Sequence, residues 1–570
     1  MDFDIVIKNG RIIDGSGNPW FKANIGIKDG KIAKINRLPL NETAKTIDAE
    51  GLVVCPGFFD LHSHSDFSIM IHNKAESSLH MGLTTMGVGQ CGSDSYTLIE
   101  EYKQMMKIGI ASFARVPVED VEVDWSNLAE WREKLEKKGI GANLAPYVGF
   151  GNLRTCVMGV EGKGGERYTP TEDELEKMKS ILDQQMRHGA FGLSTGLVYS
   201  EQRNASTEEI VELAKVVAKH GGIYISHMRG EDDTLIEACK ELIAICEKAG
   251  VRGCFSHHKA MFPENWGKPC ETMRLIDRAR AKGIEIYCDQ YCQPYAREAN
   301  LGSWFISYLM GEEMRAPPSV DELIKDMKNL EKWEEIKKKA IESYEKDVEK
   351  NEERKKVLGK HGIKVPAIWN PATFDYVVYS KTHPDFVGKN FTEVAEAMGI
   401  GDFWDAIRDL YIADDGNTYV AAGGMCEEDI ITILKHPASS VSTDDWSMDW
   451  VPPMRYPTGL LPHPRGYGVY AKVLGRYVRD MKILRLEEAI RKMASLPAQF
   501  LDIKDRGMIR EGYWADIVLF NPKTVKDLAT FEKPATYPEG IPYVLVNGQI
   551  VISEGKHIGA LPGKVLFHKA

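Results

Sequence analysis

Short apolar segments separated by tight-turn residues occur at both ends of the chain and predict β-strands there. At the N-terminal end these segments are residues 5–7, 11–13, 23–27 and 31–35. At the C-terminal end they are residues 515–520, 543–546 and 549–552. The turns between them include Asn9-Gly10, Asp29-Gly30 and Asn547-Gly548, which are pairs typical of β-hairpins. Because the two ends share this pattern and flank a different kind of sequence, we expect one small β-sandwich built from both chain termini.

The middle of the chain alternates between the two-residue period of strands and the 3.6-residue period of helices. Strand-like apolar runs occupy residues 141–148, 222–227, 253–257 and 284–289, and helix-like patterns occupy residues 171–188 and 207–219. Repeated β-then-α units favour a (β/α)8 TIM-like barrel with insertions. We therefore expect an α/β protein with two domains, a discontinuous β-sandwich of residues 1–55 and 490–570 and a catalytic barrel of residues 56–489.

One stretch, residues 312–362, interrupts this alternation. It is dense in Lys and Glu and contains the capping-box pattern Ser319-Val320-Asp321-Glu322, which marks the start of a helix. Charged runs of this kind are usually solvated helix faces, so the sequence predicts a charged helical insertion. A lid over the site is the functional alternative.

Composition restricts the class of partner. The 570 residues include 72 Lys and Arg against 83 Asp and Glu, a net charge of -11, which gives no electrostatic reason to expect nucleic acid or an anionic membrane. The start of the chain lacks a basic region, and no apolar run approaches the roughly 18 residues of a membrane span. The ten cysteines are scattered without the spacing of a disulfide framework. These features predict a cytoplasmic protein that acts on a small molecule.

Two histidines at alternate positions, His62 and His64, follow an apolar, β-prone run. Residues at i and i+2 of a strand point to the same side, so one extended segment can deliver both imidazoles to a metal. Taken alone, such a pair is equally compatible with packing residues.

Further candidate ligands follow other predicted strands. Cys91 comes just after a β-prone run, and His227 and His257 end two successive barrel strands. One thiolate and two imidazoles form a three-ligand zinc site that leaves a fourth position for water, as a catalytic zinc requires. Asp444, at the end of a late strand, provides a carboxylate that can take a proton from that water and return it to a leaving nitrogen.

The chain resembles the amidohydrolase superfamily and, within it, the N-acyl-D-amino-acid deacylases or D-aminoacylases. The resemblance covers nearly the whole length outside residues 312–362. It rests on several motifs in order: 59–64 (FDLHSH), 88–92 (VGQCG), 192–199 (GLSTGLVY), 226–229 (SHMR), 256–259 (SHHK), 463–465 (HPR) and 506–516 (RGMIREGYWAD). The cysteine motif, the 256–259 motif and the 463–465 motif are the most specific of these.

The resemblance implies a site in which a cysteine replaces the bridging carboxylated lysine of many relatives. Cys91, His227 and His257 would hold one tight zinc, and His62 and His64 a weaker or partly vacant second site. Of the adjacent histidines we expect His257 to be the ligand, because strand alternation turns His258 away and returns Lys259 to the site face.

The resemblance also implies the substrate contacts and the reaction. Lys259 and Arg465 would bind the α-carboxylate of the substrate, with Tyr199 and Tyr291 as hydrogen-bonding supports. The implied activity is zinc-dependent hydrolysis of the amide bond of an N-acyl-D-amino acid, releasing a carboxylic acid and a free D-amino acid. The preference for the D configuration comes only from the resemblance, and oligomeric state is not predicted.

Two departures from the family pattern leave alternatives open. Asp445 stands where the family commonly has a glycine, so either Asp444 or Asp445 could be the general base. The segment after Tyr291 is longer than usual and contains Arg297, which could select an acidic D-amino acid or be a solvated loop residue.

Three other functions remain as competing hypotheses. A cyclic-amide hydrolase of the dihydroorotase or hydantoinase kind would share the barrel and the His-x-His pair, but should use a bridging lysine in place of Cys91. A non-catalytic scaffold derived from such enzymes should have lost ligands, whereas here the whole set can be assigned. A deaminase of the same superfamily would not need the carboxylate-binding pair.

Overall fold

The computed structural model describes residues 2–41, 45–159, 169–296, 298–302, 305, 319–449 and 462–569. Parallel strands follow one another in chain order around a barrel. From first to eighth they are Phe58–Asp60, Leu83–Val88, Asn143–Pro146 continued by Val148–Gly149, Gly192–Gly196, Ile223–His227, Arg252–Phe255, Ile286–Gln290 and Ser439–Val441. A parallel bridge between Ser63 and Asp445 joins the segments after the first and eighth strands and closes the barrel. The predicted α/β barrel is confirmed.

Helices between successive strands cover the outside of the barrel. They are Glu76–His80, Glu100–Ala114, Leu128–Lys138, Phe150–Met158, Glu172–Arg187, Thr207–Lys219, Leu235–Ala249, Pro269–Ala281, Glu427–Lys435 and Arg465–Lys472, and the last is extended by the π-helical segment Val473–Asp480. Thr207–Lys219 matches its predicted bounds. Ser206 is the N-cap of this helix, and its side chain accepts a hydrogen bond from the Glu209 amide. The helix buries Ile210, Leu213 and Val217 at helical spacing. Two further helices, Leu486–Met493 and Ser495–Phe500, complete the barrel region.

Both chain termini form one nine-stranded sheet. Its strands are Ile5–Ile12, Phe21–Lys28, Lys31–Asn36, Thr46–Asp48, Val53–Pro56, Ile517–Phe520, Tyr543–Val546, Gln549–Ser553 and Lys556–His557. Val53–Pro56 pairs antiparallel with Ile517–Phe520 and so joins the two ends of the chain. Side chains alternate between faces: Ile517 and Leu519 help to enclose a core within the sheet, while Val518 and Phe520 pack on the barrel core. The predicted sheet-rich unit of both termini is confirmed as one continuous nine-stranded sheet, while its description as a sandwich and the exact domain boundaries stay predictions.

A separate unit with its own core is inserted between the seventh and eighth barrel strands. It contains a three-stranded sheet of Glu298–Asn300, Asp375–Tyr379 and Tyr419–Ala422, and the helices Val320–Lys328, Leu330–Gly359, Pro371–Phe374, Phe391–Met398 and Phe403–Ala413. The predicted capping box is present, since Ser319 and Glu322 bond each other's backbone amides. The insertion is thus larger than the charged stretch 312–362, whose residues 312–318 lie outside the described residues.

The long helix Leu330–Gly359 is not exposed to solvent on all sides. Trp333 is fully buried, and its indole nitrogen donates to Asp405 over 2.6 Å. Tyr344 and Asp347, further along the same helix, line the large cavity at the mouth of the barrel. The charged insertion therefore forms part of the cavity wall.

The described helices include none that is both long enough and apolar enough to cross a lipid bilayer. All ten cysteines are free.

Barrel closure generates a testable prediction about Tyr470. Its ring is buried, and its hydroxyl lies 2.7 Å from the Phe59 carbonyl and 2.8 Å from the Val441 carbonyl, so it bridges the first and eighth strands. We expect Tyr470→Phe to lower the free energy of unfolding by about 1–2 kcal/mol, because two buried carbonyls lose a donor. Urea unfolding followed by circular dichroism measures this.

Tyr147→Phe is the matched control for Tyr470→Phe. The Tyr147 hydroxyl is also buried but has no hydrogen-bond partner within the described part of the chain, so its removal should be neutral or stabilising. Equal losses in both variants would contradict a role for Tyr470 in closing the barrel.

Candidate metal centre

All the candidate metal ligands lie at the carboxyl ends of barrel strands, where barrel enzymes place their chemistry. His62 and His64 follow the first strand, Cys91 the second, His227 ends the fifth, and His257 and Asp444 follow the sixth and eighth. With the exception of His62, which is fully buried, these residues line a cavity of about 800 Å³. The barrel thus brings together, in one place, residues that are up to several hundred positions apart in sequence.

Cys91, His227 and His257 form the first group of donors. The Cys91 Sγ lies 3.7 Å from the Nδ1 of His227 and 3.5 Å from the Nε2 of His257. Zinc bonds of about 2.3 Å to sulfur and 2.0–2.1 Å to nitrogen place tetrahedral S and N ligands about 3.6 Å apart. The observed separations match that value, so these three donors can hold zinc with little rearrangement.

A second group shares Cys91 with the first. The Nε2 of His62 lies 3.3 Å from the Cys91 Sγ, and both His62 Nε2 and His64 Nε2 lie 3.4 Å from the Asp444 Oδ1. These separations also suit ligands of one ion. Cys91 therefore stands between two adjacent metal positions.

Left-handed backbone conformations aim several of these side chains. Cys91 has φ 54°, His257 has φ 34° and Asp444 has φ 50°, values that non-glycine residues rarely adopt. The Asp289 carboxylate supports two of these turns, because it accepts hydrogen bonds from the His257 amide and the Ser442 hydroxyl. Strained backbone of this kind concentrates at functional sites.

The turn at His257 also corrects one part of the sequence argument. The sixth strand ends at Phe255, so strand alternation does not separate His257 from His258. The left-handed residue redirects the chain instead, and the His258 Nε2 bonds the Thr272 hydroxyl over 2.6 Å. His257 faces the cavity as predicted, for a different physical reason.

Burial disfavours the charged forms of the cysteine and histidine side chains at this centre. Burial raises the pKa of the Cys91 thiol well above its usual range and lowers the pKa of His227 to about 3. A thiol in that state is a weak ligand, whereas a bound metal deprotonates a coordinating thiol outright. A soft thiolate with imidazoles is a donor set that selects zinc among the common divalent metals. The residues present therefore fit a zinc ion.

Asp444, and not Asp445, faces the metal ligands. Burial disfavours its charged form, but Arg465, whose guanidinium lies 2.8 Å from the Oδ2, and the imidazoles hold the pKa of Asp444 well below its usual range. Asp445 instead accepts a hydrogen bond from the Trp446 amide, and burial raises its pKa to about 7. The geometry favours Asp444 for proton transfer.

Sequence reasoning missed Glu231, four residues after His227. Its carboxylate oxygens lie 3.0 Å from the Nδ1 of His257, 3.4 Å from the Nε2 of His227 and 2.7 Å from the Nζ of Lys259. The Nδ1 of His257 lies beside Glu231 and the Lys259 Nζ, which leaves its Nε2 toward Cys91, and the Nε2 of His227 lies within ion-pair distance of Glu231 while its Nδ1 is toward Cys91. Glu231 therefore lies behind both imidazoles, where an outer partner of metal ligands is expected. The short spacing His227-Met228-Arg229-Gly230-Glu231 carries no periodic signal that would have identified it.

Lys259 and Arg465 both border the cavity, and both lie close to the Tyr291 ring. The Lys259 Nζ lies 5.6 Å and the Arg465 guanidinium 4.5 Å from the ring centroid. Burial alone would lower the pKa of Lys259, but Glu231 outweighs it and raises that pKa to about 12, so the side chain is charged. The Tyr291 hydroxyl is buried, and the Tyr199 hydroxyl lies 3.4 Å from the His227 Nδ1. Arg297 lies outside the described residues.

Comparison with known proteins agrees with this geometry. A family model described as the amidohydrolase family matches residues 402–552. The chain is 30% identical over 567 residues to the N-acyl-D-glutamate deacylase of Alcaligenes xylosoxydans xylosoxydans, covering 100% of this chain and 97% of that protein. It is 28% identical over 574 residues to the D-aminoacylase of the same organism, covering 100% and 98%.

A solved structure extends the likeness to three dimensions. The N-acyl-D-glutamate deacylase from Bordetella bronchiseptica, in complex with zinc and a phosphonate mimic of the tetrahedral intermediate, matches with a TM-score of 0.73 and 28% identity over 100% of both chains. The similarity covers the terminal sheet, the barrel and the insertion alike. The chain therefore belongs to the amidohydrolase family, in the group of N-acyl-D-amino-acid deacylases that includes the D-aminoacylases.

Proposed function

We propose that the protein is a zinc-dependent hydrolase that cleaves the amide bond of N-acyl-D-amino acids. One observation carries the proposal: a cysteine, histidines and a carboxylate at zinc-ligand separations share one cavity with two buried cations. That combination provides a centre for polarising an amide and anchors for a substrate carboxylate. The named relatives act on N-acyl-D-amino acids, which supports the D configuration for this chain.

In this proposal Cys91, His227 and His257 would hold the tight zinc. When bound there, zinc would supply a Lewis acid for the acyl carbonyl and would lower the pKa of a water molecule. The second position is weaker because its ligands are already engaged: Cys91 is shared, and Asp444 is paired with Arg465. His62 and His64 are the further ligands of that second position.

Asp444 moves the proton. Its carboxylate is held ionised, so it can accept a proton from the attacking water and deliver it to the departing nitrogen. The 2.8 Å contact with Arg465 fixes the orientation of the carboxylate during both transfers. The amine then leaves as a neutral group.

Lys259 and Arg465 bind the α-carboxylate, Arg465 as a planar fork and Lys259 as a point charge. The Tyr291 ring lies within cation–π distance of both cations, and the Tyr199 hydroxyl lies 3.4 Å from the Nδ1 of His227. Both cations are nine-tenths buried or more, so a carboxylate bound there is shielded from water.

No observation on this chain favours a cyclic amide over a linear one. The cytoplasmic location stays a prediction.

The stereochemistry and the role of Asp444 can be tested together. Zinc-loaded protein should release amine from N-acyl-D-amino acids and not from their L enantiomers. Asp444→Asn should lower kcat by about 10²- to 10⁴-fold, because general acid-base catalysis is lost. Asp445→Asn is the matched control and should keep most of the activity. A larger loss in Asp445→Asn than in Asp444→Asn would reverse the assignment.

Metal retention tests the ligand assignment independently of activity. After dialysis, the protein should keep one zinc per chain by elemental analysis, and a strong chelator should remove it together with the activity. Cys91→Ala should lose the zinc, because the shared ligand is gone. Cys156→Ala removes a half-buried cysteine elsewhere and should keep the zinc. Retention of zinc by Cys91→Ala would show that the ligands are others.

Glu231→Gln tests the support of the two metal-binding imidazoles. Loss of its charge should weaken zinc affinity by about 10- to 100-fold, as removing an outer partner of a ligating histidine typically does, and should raise KM through Lys259. Glu241→Gln removes a partly buried carboxylate, paired with Arg229 outside the site, and should leave zinc affinity unchanged. Equal zinc affinities in the wild type and Glu231→Gln would contradict the positioning role.

A further inference from the structure

We propose that an aromatic pocket formed by residues that follow the eighth, first and second barrel strands binds the acyl part of the substrate and selects apolar acyl groups larger than acetyl. The acyl pocket, as we name it, is formed by Phe67, Tyr102, Phe113 and Trp446, which all line the metal-centre cavity. The inference rests on the proposed function and identifies the class of acyl group that this site takes.

Three rings of the acyl pocket, Phe67, Phe113 and Trp446, form one connected cluster beside the candidate metal ligand His64. Phe113 stacks on Phe67 with centroids 4.9 Å apart and meets Trp446 edge to face, also at 4.9 Å. The Phe113 centroid lies 6.5 Å from that of His64. Phe67 and Trp446 are buried, so their positions are fixed by packing. The result is a preformed apolar wall next to the metal ligands.

The order of the barrel strands indicates which part of the substrate reaches this wall. Lys259 follows the sixth strand and Arg465 the eighth, so the carboxylate anchors lie over that side of the barrel mouth. Phe67 follows the first strand, and Phe113 lies in the helix Glu100–Ala114 after the second. The Arg465 guanidinium lies 2.8 Å from Asp444, Asp444 lies 3.4 Å from the His64 Nε2, and the His64 ring centroid lies 6.5 Å from that of Phe113. These contacts place the candidate metal ligands Asp444 and His64 between the Arg465 anchor and the acyl pocket.

An N-acyl-amino acid carries its carboxylate and its acyl group on opposite sides of the scissile amide. When Lys259 and Arg465 hold the carboxylate and the carbonyl lies at the metal ligands, the acyl group points away from the anchors. The acyl pocket is the part of the described cavity wall that it then meets. The amino-acid side chain branches on the anchor side, where Met261 and Phe374 line the cavity.

Size and chemistry define the group that fits. A cavity of about 800 Å³ lies in the range that encloses drug-sized ligands, whereas an acetyl group would leave the aromatic wall uncovered. Phenyl and indole rings favour apolar partners, including an aromatic ring in edge-to-face contact. A medium-length alkyl or an arylalkyl acyl group meets both conditions.

The test is a series of acyl groups on one amino acid. We expect kcat/KM for N-acetyl-, N-butyryl-, N-hexanoyl- and N-phenylacetyl-D-methionine to rise with acyl size, by about fourfold per buried methylene until the pocket is filled. In Phe113→Ala the hexanoyl-to-acetyl ratio should fall by about tenfold or more. Because both substrates are measured on one preparation, the ratio is independent of the fraction of folded protein.

Phe374→Ala is the matched control on the anchor side of the cavity. Phe374 stacks on Trp369 with centroids 4.4 Å apart, so this variant removes a comparable aromatic side chain. Its hexanoyl-to-acetyl ratio should stay within about twofold of the wild-type ratio, since less than one methylene equivalent is affected. Equal falls in Phe113→Ala and Phe374→Ala would overturn the assignment of the acyl pocket.

Other outcomes also decide the proposal. A wild-type preference for acetyl, or an unchanged ratio in Phe113→Ala, would overturn it while leaving the deacylase function intact. If Phe113→Ala instead alters selectivity among N-acetyl-D-alanine, -methionine and -phenylalanine, the pocket holds the amino-acid side chain and the proposal is wrong. If no substrate is hydrolysed, the proposed function fails, and equilibrium binding of N-hexanoyl- against N-acetyl-D-methionine still tests the pocket.

Discussion

The Cys91 sulfur is the point on which the centre depends, because it lies within 3.7 Å of three imidazoles that come from three different strands. Burial of a thiol and neutral imidazoles is unfavourable unless a cation joins them, since each isolated donor would be better solvated in water. A bound zinc ion offsets this free-energy cost, because its positive charge stabilises the thiolate and the neutral imidazoles as ligands. The site is therefore arranged for a metal before any substrate arrives.

The rest of the fold positions these side chains and the cavity around them. The barrel closes through the Ser63–Asp445 bridge, which places the His62–His64 segment beside Asp444. Glu231 links the candidate ligand His257 to the Lys259 ammonium, so the proposed carboxylate anchor and the candidate metal centre share one buried charge network. The inserted unit adds a long helix to the cavity wall, and the terminal sheet packs against the barrel core away from the site. The barrel thus provides the candidate site residues, the insertion provides part of the cavity wall, and the terminal sheet packs on the barrel core away from the cavity.

Much of this could be predicted from the sequence because local patterns carry it. Hairpin turns at both termini and β-then-α alternation indicated the fold, and strand ends followed by His, Cys or Asp indicated the centre. What could not be predicted depends on left-handed backbone and on contacts between distant segments. His257 faces the cavity because of its positive φ, and Glu231 is placed by the loop that turns it back toward His257. The extent of the insertion was missed because its sheet joins segments as distant as Glu298–Asn300 and Tyr419–Ala422.

The central claim is that a cysteine sulfur is a ligand of the catalytic metal. X-ray absorption at the zinc edge of the zinc-loaded protein tests it most directly. The account predicts one sulfur scatterer at about 2.3 Å together with nitrogen or oxygen at about 2.0–2.1 Å. A spectrum that is fitted by nitrogen and oxygen alone would contradict it.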